Sequence, residues 1–300
     1  MTSLSHANLR RLLFAAVFAA SCLMAAMPSW ARSGGSAEAL RAAYTDMQTQ
    51  FANNQFGQPL VLESSEEPGR LQGDAYALMD YPIAKVEGAL NTQQQWCEML
   101  ILHLNTKYCR AAQVGGAPGL TVYIGSKNPE PLERSYRVDF AWQVAAMKPE
   151  YFNIRLAADK GPLGTSDYRI AVEATSVPGN RTLLHLTYSY QYGTMGSLAM
   201  KTYLGTKGAD KVGFTVLSND NGKPVYIDGV RGVVERNTMR YYLAIDSYLK
   251  TVDTPEGQRQ EKRLLSWFSA TERHPRQLHE VDRDDYLQMK REEIRRQNSQ

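Results

Sequence analysis

Cysteine is scarce in this chain, which has three cysteines among 300 residues. One of them, Cys22, lies in an apolar N-terminal stretch, so the rest of the chain keeps only Cys97 and Cys109. Their spacing lacks the Cys-x-x-Cys pairs of structural zinc sites, and neither His-x-x-x-His nor His-Glu-x-x-His occurs. The sequence therefore predicts no metal site, and it leaves the two cysteines as a disulfide or as two buried thiols.

Short catalytic signatures are also missing. The sequence has no Gly-x-Ser-x-Gly nucleophile elbow, no P-loop and no Rossmann glycine fingerprint. The segment Gly205-Thr206-Lys207-Gly208 lacks the spacing of a phosphate-binding loop and is interpreted as a turn. We therefore predict no catalytic residue and no cofactor.

Excess charge of either sign is absent from most of the chain. Without Arg10 and Arg11, the sequence has 32 basic and 31 acidic residues. Nucleic-acid binding needs a concentrated basic surface, so this balance predicts no nucleic-acid partner. Hydrophobic residues make up 43% and charged residues 22%, which is typical of a globular domain.

The N-terminus has the pattern of a signal peptide. Arg10 and Arg11 precede the uncharged stretch Leu12–Met27, and Ser29 and Ala31 fit the small positions before a cleavage site. A membrane anchor is the first alternative, although 16 residues fall short of the roughly 20 that a spanning helix needs. A lipoprotein anchored at Cys22 is the second. We expect cleavage after Ala31 and a periplasmic or secreted protein, in which Cys97 and Cys109 form a disulfide.

Hydrophobic periodicity predicts a sheet followed by a long helix. Residues alternate along Met99–Lys107 and, most clearly, along Thr182–Tyr192, where Leu184, Leu186, Tyr188, Tyr190 and Tyr192 share one face. One buried face and one wetter face are typical of an antiparallel sheet. Apolar residues recur at helical spacing from Val234 to Val252. The further predicted strands are 60–63, 70–79, 120–126, 134–146, 151–158 and 167–175, and the further predicted helices are 37–51, 82–98 and 197–204.

The composition changes after Asp253. The last 48 residues contain 10 basic and 10 acidic side chains, with one apolar cluster at Leu264, Leu265, Trp267 and Phe268. This pattern predicts a solvated helical tail. We divide the chain into a signal peptide (1–31), a flexible or short helical segment (32–58), a ligand-binding domain (59–252) and a charged helical tail (253–300).

The order of the predicted elements resembles that of the START-like, helix-grip (SRPBCC) superfamily. The elements that carry the resemblance are the strand Arg70–Met79, the helix that opens at Tyr81-Pro82-Ile83, Trp96 after it, and the sheet from Met99 to Tyr192. The resemblance covers residues 60–249. It implies an α+β fold in which a curved antiparallel sheet grips a C-terminal helix and leaves a ligand cavity. It also implies an apolar or lipid-like partner and transfers no catalytic motif.

Tyrosine and histidine supply the candidate ligand-binding residues. Tyrosine combines an apolar ring with a polar tip, which suits an amphipathic or ring-bearing ligand. His103 and His185 lie on the more polar side of their predicted strands, and we expect both to face one cavity; ordinary hydrogen-bonded and packed side chains are the alternative. The predicted binding residues are His103, Asn105, His185, Tyr188, Tyr190, Tyr241, Tyr242 and Tyr248.

A basic run at the start of the long helix has two interpretations. Arg231, Glu235, Arg236 and Arg240 either form a solvated helix face with an Arg231–Glu235 pair, or bind an anionic head group at a cavity mouth.

We therefore expect a periplasmic protein that binds an apolar ligand, with transport of that ligand as a further role. Two alternatives stay open: an envelope protein that docks a partner through its C-terminal tail, and a START-like enzyme of cyclase or hydrolase type that uses the two histidines.

Overall fold

The computed structural model describes residues 35–194, 196, 198 and 210–299. The predicted leader, most of the predicted helix 197–204 and the turn at 205–208 lie outside them. The strands are β1 (Leu60–Glu67), β2 (Arg70–Met79), β3 (Thr106–Val114), β4 (Ala117–Ile124), β5 (Tyr136–Lys148), β6 (Tyr151–Lys160), β7 (Thr165–Val177), β8 (Arg181–Tyr192), β9 (Val216–Asp220) and β10 (Lys223–Tyr226). The helices are α1 (Ala37–Asp46), α2 (Gln48–Ala52), α3 (Ile83–Leu90), α4 (Gln93–Leu100), α5 (Gly229–Leu249), α6 (Glu256–Thr271), α7 (Pro275–Leu278) and α8 (Arg283–Asn298). None of the described helices is both long enough and apolar enough to cross a membrane.

Eight of the strands form one antiparallel sheet in the order β1-β2-β8-β7-β6-β5-β4-β3. Strands that are neighbours in the sheet are also consecutive along the chain, with one exception. β2 pairs with β8, so the second and the eighth strand along the chain lie side by side. Side chains alternate between faces along each strand. We call the face that carries Leu186 and Tyr188 the inner face, and the face that carries Leu183 and His185 the outer face.

Helix α5 packs on the inner face, chiefly against β1, β2 and β8. Gly73 of β2 lies under Thr238, and a Cβ atom at Gly73 would collide with the Thr238 side chain. The missing side chain thus lets the helix approach the sheet closely. Val234, Leu243 and Ile245 of α5 join Leu71, Ala75 and Leu186 of the sheet in the main hydrophobic core.

The outer face is also covered, which the alternating pattern does not predict. Ser36 caps the N-terminus of helix α1, and its hydroxyl accepts a hydrogen bond from the Ala39 N–H. Its apolar side contributes Leu40 and Ala43 to a second core with Tyr151 and Leu183. The prediction of one wetter face on β8 is therefore wrong, because the N-terminal helix excludes water from it.

The predicted strand at Met99–Lys107 is wrong. Helix α4 begins with a capping box between Thr92 and Gln95 and continues to Leu100, and β3 begins only at Thr106. His103 and Asn105 consequently lie in the turn between these elements. The alternation of Leu100, Leu102 and Leu104 comes instead from the end of a buried helix and a buried turn, since short apolar runs do not distinguish the two structures.

A disulfide joins Cys97 of α4 to Cys109 of β3, with Cα atoms 5.1 Å apart. It links the end of the helix to the edge strand across the turn that contains His103. We expect the Cys97→Ala/Cys109→Ala variant to lose about 3 kcal/mol of unfolding free energy, the chain-entropy value for so short a loop. Urea unfolding of both proteins measures the loss, and peptide mass mapping without reductant identifies the bond. Equal unfolding midpoints for the two proteins would show that the disulfide does not stabilise the fold.

The charged tail is part of the hydrophobic core, so the expectation of a solvated appendage is wrong. Leu264, Trp267 and Tyr286 are fully buried, and the Trp267 ring stacks on Tyr286 with centroids 5.1 Å apart. Leu265 and Phe268 pack against the same core. The apolar cluster of the tail is therefore packed within the chain itself, and the structure does not support docking of a partner through the tail.

The tail charges are accommodated by pairing. Lys290 Nζ lies 2.7 Å from Glu293 Oε2 and donates to the backbone oxygen of His103. Arg263 reaches Glu98 of α4 at 2.7 Å. Buried charges are tolerated when they are paired and hydrogen-bonded, which is how a segment of this composition enters the interior.

The predicted fold class is confirmed. The chain is α+β, with a large curved antiparallel sheet against which a C-terminal helix packs.

Candidate functional site

Aromatic rings meet on the inner face where β7 and β8 pass under α5. Tyr188 and Tyr190 of β8 lie beside Tyr168 of β7, with centroids of Tyr168 and Tyr190 5.3 Å apart. Tyr241 of α5 lies 5.1 Å from Tyr188 and 4.8 Å from the stacked ring of His103. We call these five residues the inner aromatic group.

The tyrosines of this group are uncharged at neutral pH. Burial raises the pKa of the Tyr188, Tyr190 and Tyr241 hydroxyls above the usual 10. Each therefore presents an apolar ring with a neutral polar tip. Tyr241 retains partial surface accessibility although it is on the sheet side of α5.

His103 presents a hydrogen-bond donor to the interior. Its Nδ1 accepts a hydrogen bond of 3.1 Å from the Asn105 N–H, so the hydrogen of the neutral ring is on Nε2. Burial holds the pKa of His103 well below 6.5, and the cations Arg240 and Lys290 lower it further. Nε2 is buried and has no hydrogen-bond partner among the described residues.

Two further donors on the inner side of the sheet lack partners in the described part of the chain. They are Nε1 of Trp142 and Nη2 of Arg236. Trp142 belongs to the cross-strand row that leads through Leu156 and Ile170 to Tyr188. Arg236 lies near enough to Tyr190 to lower the pKa of its hydroxyl against the effect of burial. Leaving a buried donor unsatisfied costs about 1–3 kcal/mol, so each of these three groups is stabilised by any acceptor that reaches it.

His185 is not part of the inner aromatic group. It lies on the outer face, where Nε2 is 2.9 Å from Asp74 Oδ1 and Nδ1 is 3.0 Å from Glu173 Oε1. The Tyr76 ring stacks on it at 4.0 Å, and Tyr151 donates to Glu173. The expectation that His103 and His185 face one cavity is wrong, because His103 is in a turn on the other side of the sheet.

Neither histidine is arranged as a general base. Both nitrogens of His185 are held by carboxylates; burial alone would lower its pKa, but the hydrogen bonds to Asp74 and Glu173 raise it to about 9. The acceptor nitrogen of His103 is occupied by the Asn105 N–H. A base must have an accessible lone pair within reach of the proton it takes, so the geometry gives no support to the two-histidine enzyme.

Two of the predicted tyrosines lie away from the inner aromatic group. Tyr248 packs beneath the Arg263 guanidinium at 4.0 Å, and burial together with Glu98 raises its pKa to about 12. Tyr242 is buried nearer Asp246, whose charge adds to the effect of burial on its pKa. Asn105 contacts the group through His103 and donates its side-chain amide to the Gly125 oxygen.

The basic run at the start of α5 is not a solvated helix face. Glu235 is fully buried and accepts hydrogen bonds from the Thr215 N–H and from the Ser64 hydroxyl. Arg231 donates to Ser64. Arg231 and Glu235 therefore do not pair with each other in the way that the sequence suggests. Their hydrogen bonds instead connect α5 to β1 and to the segment before β9.

Sequence reasoning found His103 and the tyrosine stripe but missed Tyr168 and the unsatisfied nitrogens of Trp142 and Arg236. A period-two pattern places residues on a face, whereas an unsatisfied donor is visible only when all neighbours are known. Within the described residues, no group of three or more His, Cys, Asp or Glu side chains is arranged to hold a metal ion.

Comparison by sequence found no matching family model and no matching curated protein. Comparison by structure found several solved structures with a low degree of similarity. Ara h 8.0201 has a TM-score of 0.36 and 10% identity, over 61% of this chain and 99% of that one. Human StAR-related lipid transfer protein 5 has a TM-score of 0.31 and 9% identity, over 56% and 89%. A norcoclaurine synthase of Thalictrum flavum has a TM-score of 0.32 and 11% identity, over 50% and 89%.

The chain's own architecture is an antiparallel sheet that begins with β1 and β2, inserts two helices, returns through six strands and ends under a long C-terminal helix. This order is the one that the sequence predicts from its resemblance. The chain thus has an α+β fold in which a curved antiparallel sheet packs against a long helix, as the resemblance implies.

Proposed function

We propose that the chain is exported and binds an amphipathic, ring-bearing ligand between the inner face of the sheet and α5. The observation that carries this proposal is the coexistence of neutral aromatic rings with three buried donors that have no partner among the described residues. Rings supply a surface for apolar groups, and unsatisfied donors supply orientation. A ligand with an acceptor atom would satisfy at least the His103 donor.

Export follows from the leader alone, since the signal pattern at residues 1–31 is a feature of the sequence. In the periplasm or outside the cell the chain would keep its Cys97–Cys109 bond. Transport of the ligand would be the corresponding task for a freely diffusing carrier.

Native mass spectrometry of the protein recovered from its host compartment tests both parts. We expect a polypeptide that begins at Arg32, carrying a stoichiometric adduct that solvent extraction removes. Intact leader on the recovered protein would contradict export. A clean unliganded mass, with no binding of the neutral probe N-phenyl-1-naphthylamine, would contradict the ligand-binding proposal.

The role of His103 is tested with His103→Phe, which keeps an aromatic ring against Tyr241 and removes the Nε2 donor. We expect at least a fivefold loss of ligand retention, from the 1–3 kcal/mol attached to an unsatisfied donor. Tyr248→Phe is the matched control, because it removes a hydroxyl away from the inner aromatic group. Circular dichroism and thermal melting establish that each variant folds. Equal losses in the two variants would assign His103 a structural role only.

A further inference from the structure

Arg236 of α5 is a buried cation without a carboxylate partner among the described residues. It is 1% exposed. The rest of the chain includes no aspartate or glutamate, so it adds no acidic side chain that could pair with Arg236. The other buried lysines and arginines of the described part each have a carboxylate partner, with Lys107 and Lys290 on Glu293, Arg240 on Glu280 and Arg263 on Glu98. Arg236 is the exception in this group.

The guanidinium of Arg236 is positioned but not neutralised. Nη1 donates to the backbone oxygen of Val212 at 3.1 Å, and it lies 3.3 Å from where a Cβ atom would be at Gly232. Nη2 is buried and has no hydrogen-bond partner in the described chain. A buried charge is costly unless it is paired and hydrogen-bonded. An anion that reaches Nη2 would do both at once.

The neighbouring carboxylate, Glu235, does not take this place. Residues next to each other on a helix do not face each other. Glu235 accepts hydrogen bonds from the Thr215 N–H and from the Ser64 hydroxyl. Its oxygens therefore connect α5 to β1 and to the segment before β9, and none of them bonds Arg236.

Arg236 lies at the Tyr190 end of the inner aromatic group. Its charge lowers the pKa of the Tyr190 hydroxyl against the effect of burial. Tyr188 comes next, with its centroid 5.6 Å from Tyr190 and 5.1 Å from Tyr241. His103 stacks on Tyr241 at 4.8 Å. The group therefore extends from a neutral donor, His103 Nε2, to a charged one, Arg236 Nη2.

The charge that Arg236 lacks matches a carboxylate. One unpaired positive charge is balanced by one negative charge, and an ionised carboxylate carries one. A phosphate monoester carries about −1.5 to −2 at neutral pH and would leave negative charge buried in excess. A carboxylate oxygen is also the short, charge-assisted acceptor that an arginine nitrogen prefers.

We propose that Arg236 binds the carboxylate of a ring-bearing acid whose rings lie against the inner aromatic group. The inference rests on the proposed function for the ring-bearing part and names the class of ligand. Nη2 donates to a carboxylate oxygen while Nη1 keeps its bond to Val212. The His103 donor at the other end is left for a neutral acceptor of the same ligand.

The test uses the full mature chain and two probes with the same ring, 1-naphthoate and 1-naphthamide, which differ in charge. Each competes with N-phenyl-1-naphthylamine, whose fluorescence reports the competition. We expect naphthoate to bind about tenfold more tightly than naphthamide, from a hydrogen bond to a charged group. In Arg236→Met we expect that preference to disappear, with naphthamide affinity unchanged within about twofold.

Thermal melting separates binding from a structural role. Arg236→Met should melt no lower than the unmodified protein without ligand, because an apolar side chain of similar length replaces an unpaired buried charge. Arg134→Met removes an exposed arginine before β5 and should keep the naphthoate preference. If Arg236→Met does not fold, Arg236→Gln makes the same comparison, since it removes the charge and keeps a donor for the Val212 oxygen.

The outcomes distinguish this inference from the proposed function. Equal affinities for naphthoate and naphthamide in the unmodified protein, or a preference that survives in Arg236→Met, would contradict the carboxylate site and leave apolar binding intact. If N-phenyl-1-naphthylamine and both competitors fail to bind, the proposed function is contradicted. Isothermal titration with benzoate then tests Arg236 separately: binding that is lost in Arg236→Met would retain the carboxylate site, and no binding would contradict both.

Discussion

Replacing His185 with alanine is expected to cost roughly 3–5 kcal/mol of unfolding free energy, the range for breaking a buried ion pair. The ring lies between Asp74 and Glu173, and its side chain is 2% exposed. The variant would leave two carboxylates on the outer face under α1 without their shared cation. Urea unfolding at pH 7 measures the effect. His279→Ala is the matched control, since that side chain is 44% exposed beside Glu272 and its loss should cost below about 1 kcal/mol.

The pH dependence of this cluster has a definite sign. The pKa of His185 is raised to about 9, so its stabilisation is complete below the unfolded value of about 6.5 and is lost as pH rises through 9. Hydrogen bonds from His185 lower the pKa of Asp74 and Glu173 against the opposing effect of burial. The stability that these two carboxylates contribute is present above their unfolded-state pKa of about 4. It is lost as the pH falls through their lower pKa in the folded protein.

We therefore expect maximal stability between about pH 5 and pH 7 and a decline of roughly 3 kcal/mol between pH 7 and pH 10 from this group. In His185→Ala the carboxylates lose their cation, and burial should raise their pKa above the unfolded values. The variant should then gain stability from pH 7 to pH 5 and lack the alkaline decline. An unchanged alkaline decline in the variant would assign the effect to other groups.

This cluster also shows the limit of prediction from sequence. The sequence predicts His185 on the polar side of its strand, and the alternation behind this prediction is confirmed by β8. Its partner Asp74, on β2, lies more than a hundred residues earlier in the chain. Its partner Glu173, on β7, lies about a dozen residues earlier. Only strand order determines that they meet, and no local pattern specifies strand order.

The tail presents the complementary case. Its composition is typical of a solvated helix, yet Lys290 and Glu293 are buried because each finds its counter-charge in the chain. The number of charged residues in a segment indicates only how much free energy it would cost to bury those charges without partners. It does not reveal that Lys107, on a strand nearly two hundred residues earlier, shares Glu293 with Lys290.

The aromatic part of the candidate site was more accessible to prediction. Tyr188 and Tyr190 follow from a period of two, and Tyr241 follows from a period near 3.6, because each is on the apolar side of a regular element. His103 is a candidate by residue type alone, and it does stack on Tyr241, although it lies in a turn and not in the predicted strand. The pocket lined by Asn105, Lys127, Lys211 and Glu280 could not be predicted, since these residues come from separate segments.

The packing of α5 on the sheet yields the second prediction of large effect, a loss of about 2–3 kcal/mol in Gly73→Ala. The added Cβ would collide with Thr238, whose hydroxyl donates to the Val234 oxygen at 2.9 Å in a fully buried position. The side chain has no room to rotate away, so the helix must move from the sheet. Overpacking of this kind typically costs 1–3 kcal/mol of unfolding free energy. Chemical unfolding of Gly73→Ala and the unmodified protein measures this loss.

Gly88→Ala is the matched control, because nothing lies within 4 Å of a Cβ atom at that helical position. It should leave stability unchanged or raise it by up to about 1 kcal/mol, since alanine favours a helix over glycine. The pair separates the loss of conformational freedom from the collision.

A double-mutant cycle identifies the collision itself. Thr238→Ala removes the hydroxyl that overlaps the new Cβ and leaves the Thr238 Cβ contact, which is 3.1 Å. Gly73→Ala/Thr238→Ala should therefore be more stable than the sum of the single effects predicts, by at least about 1 kcal/mol. Additive effects would mean that Gly73 serves the strand rather than the helix contact. Because Tyr241 is on the same helix one turn beyond Thr238, a displaced α5 in Gly73→Ala should also weaken binding of the neutral probe, and the double variant should restore it.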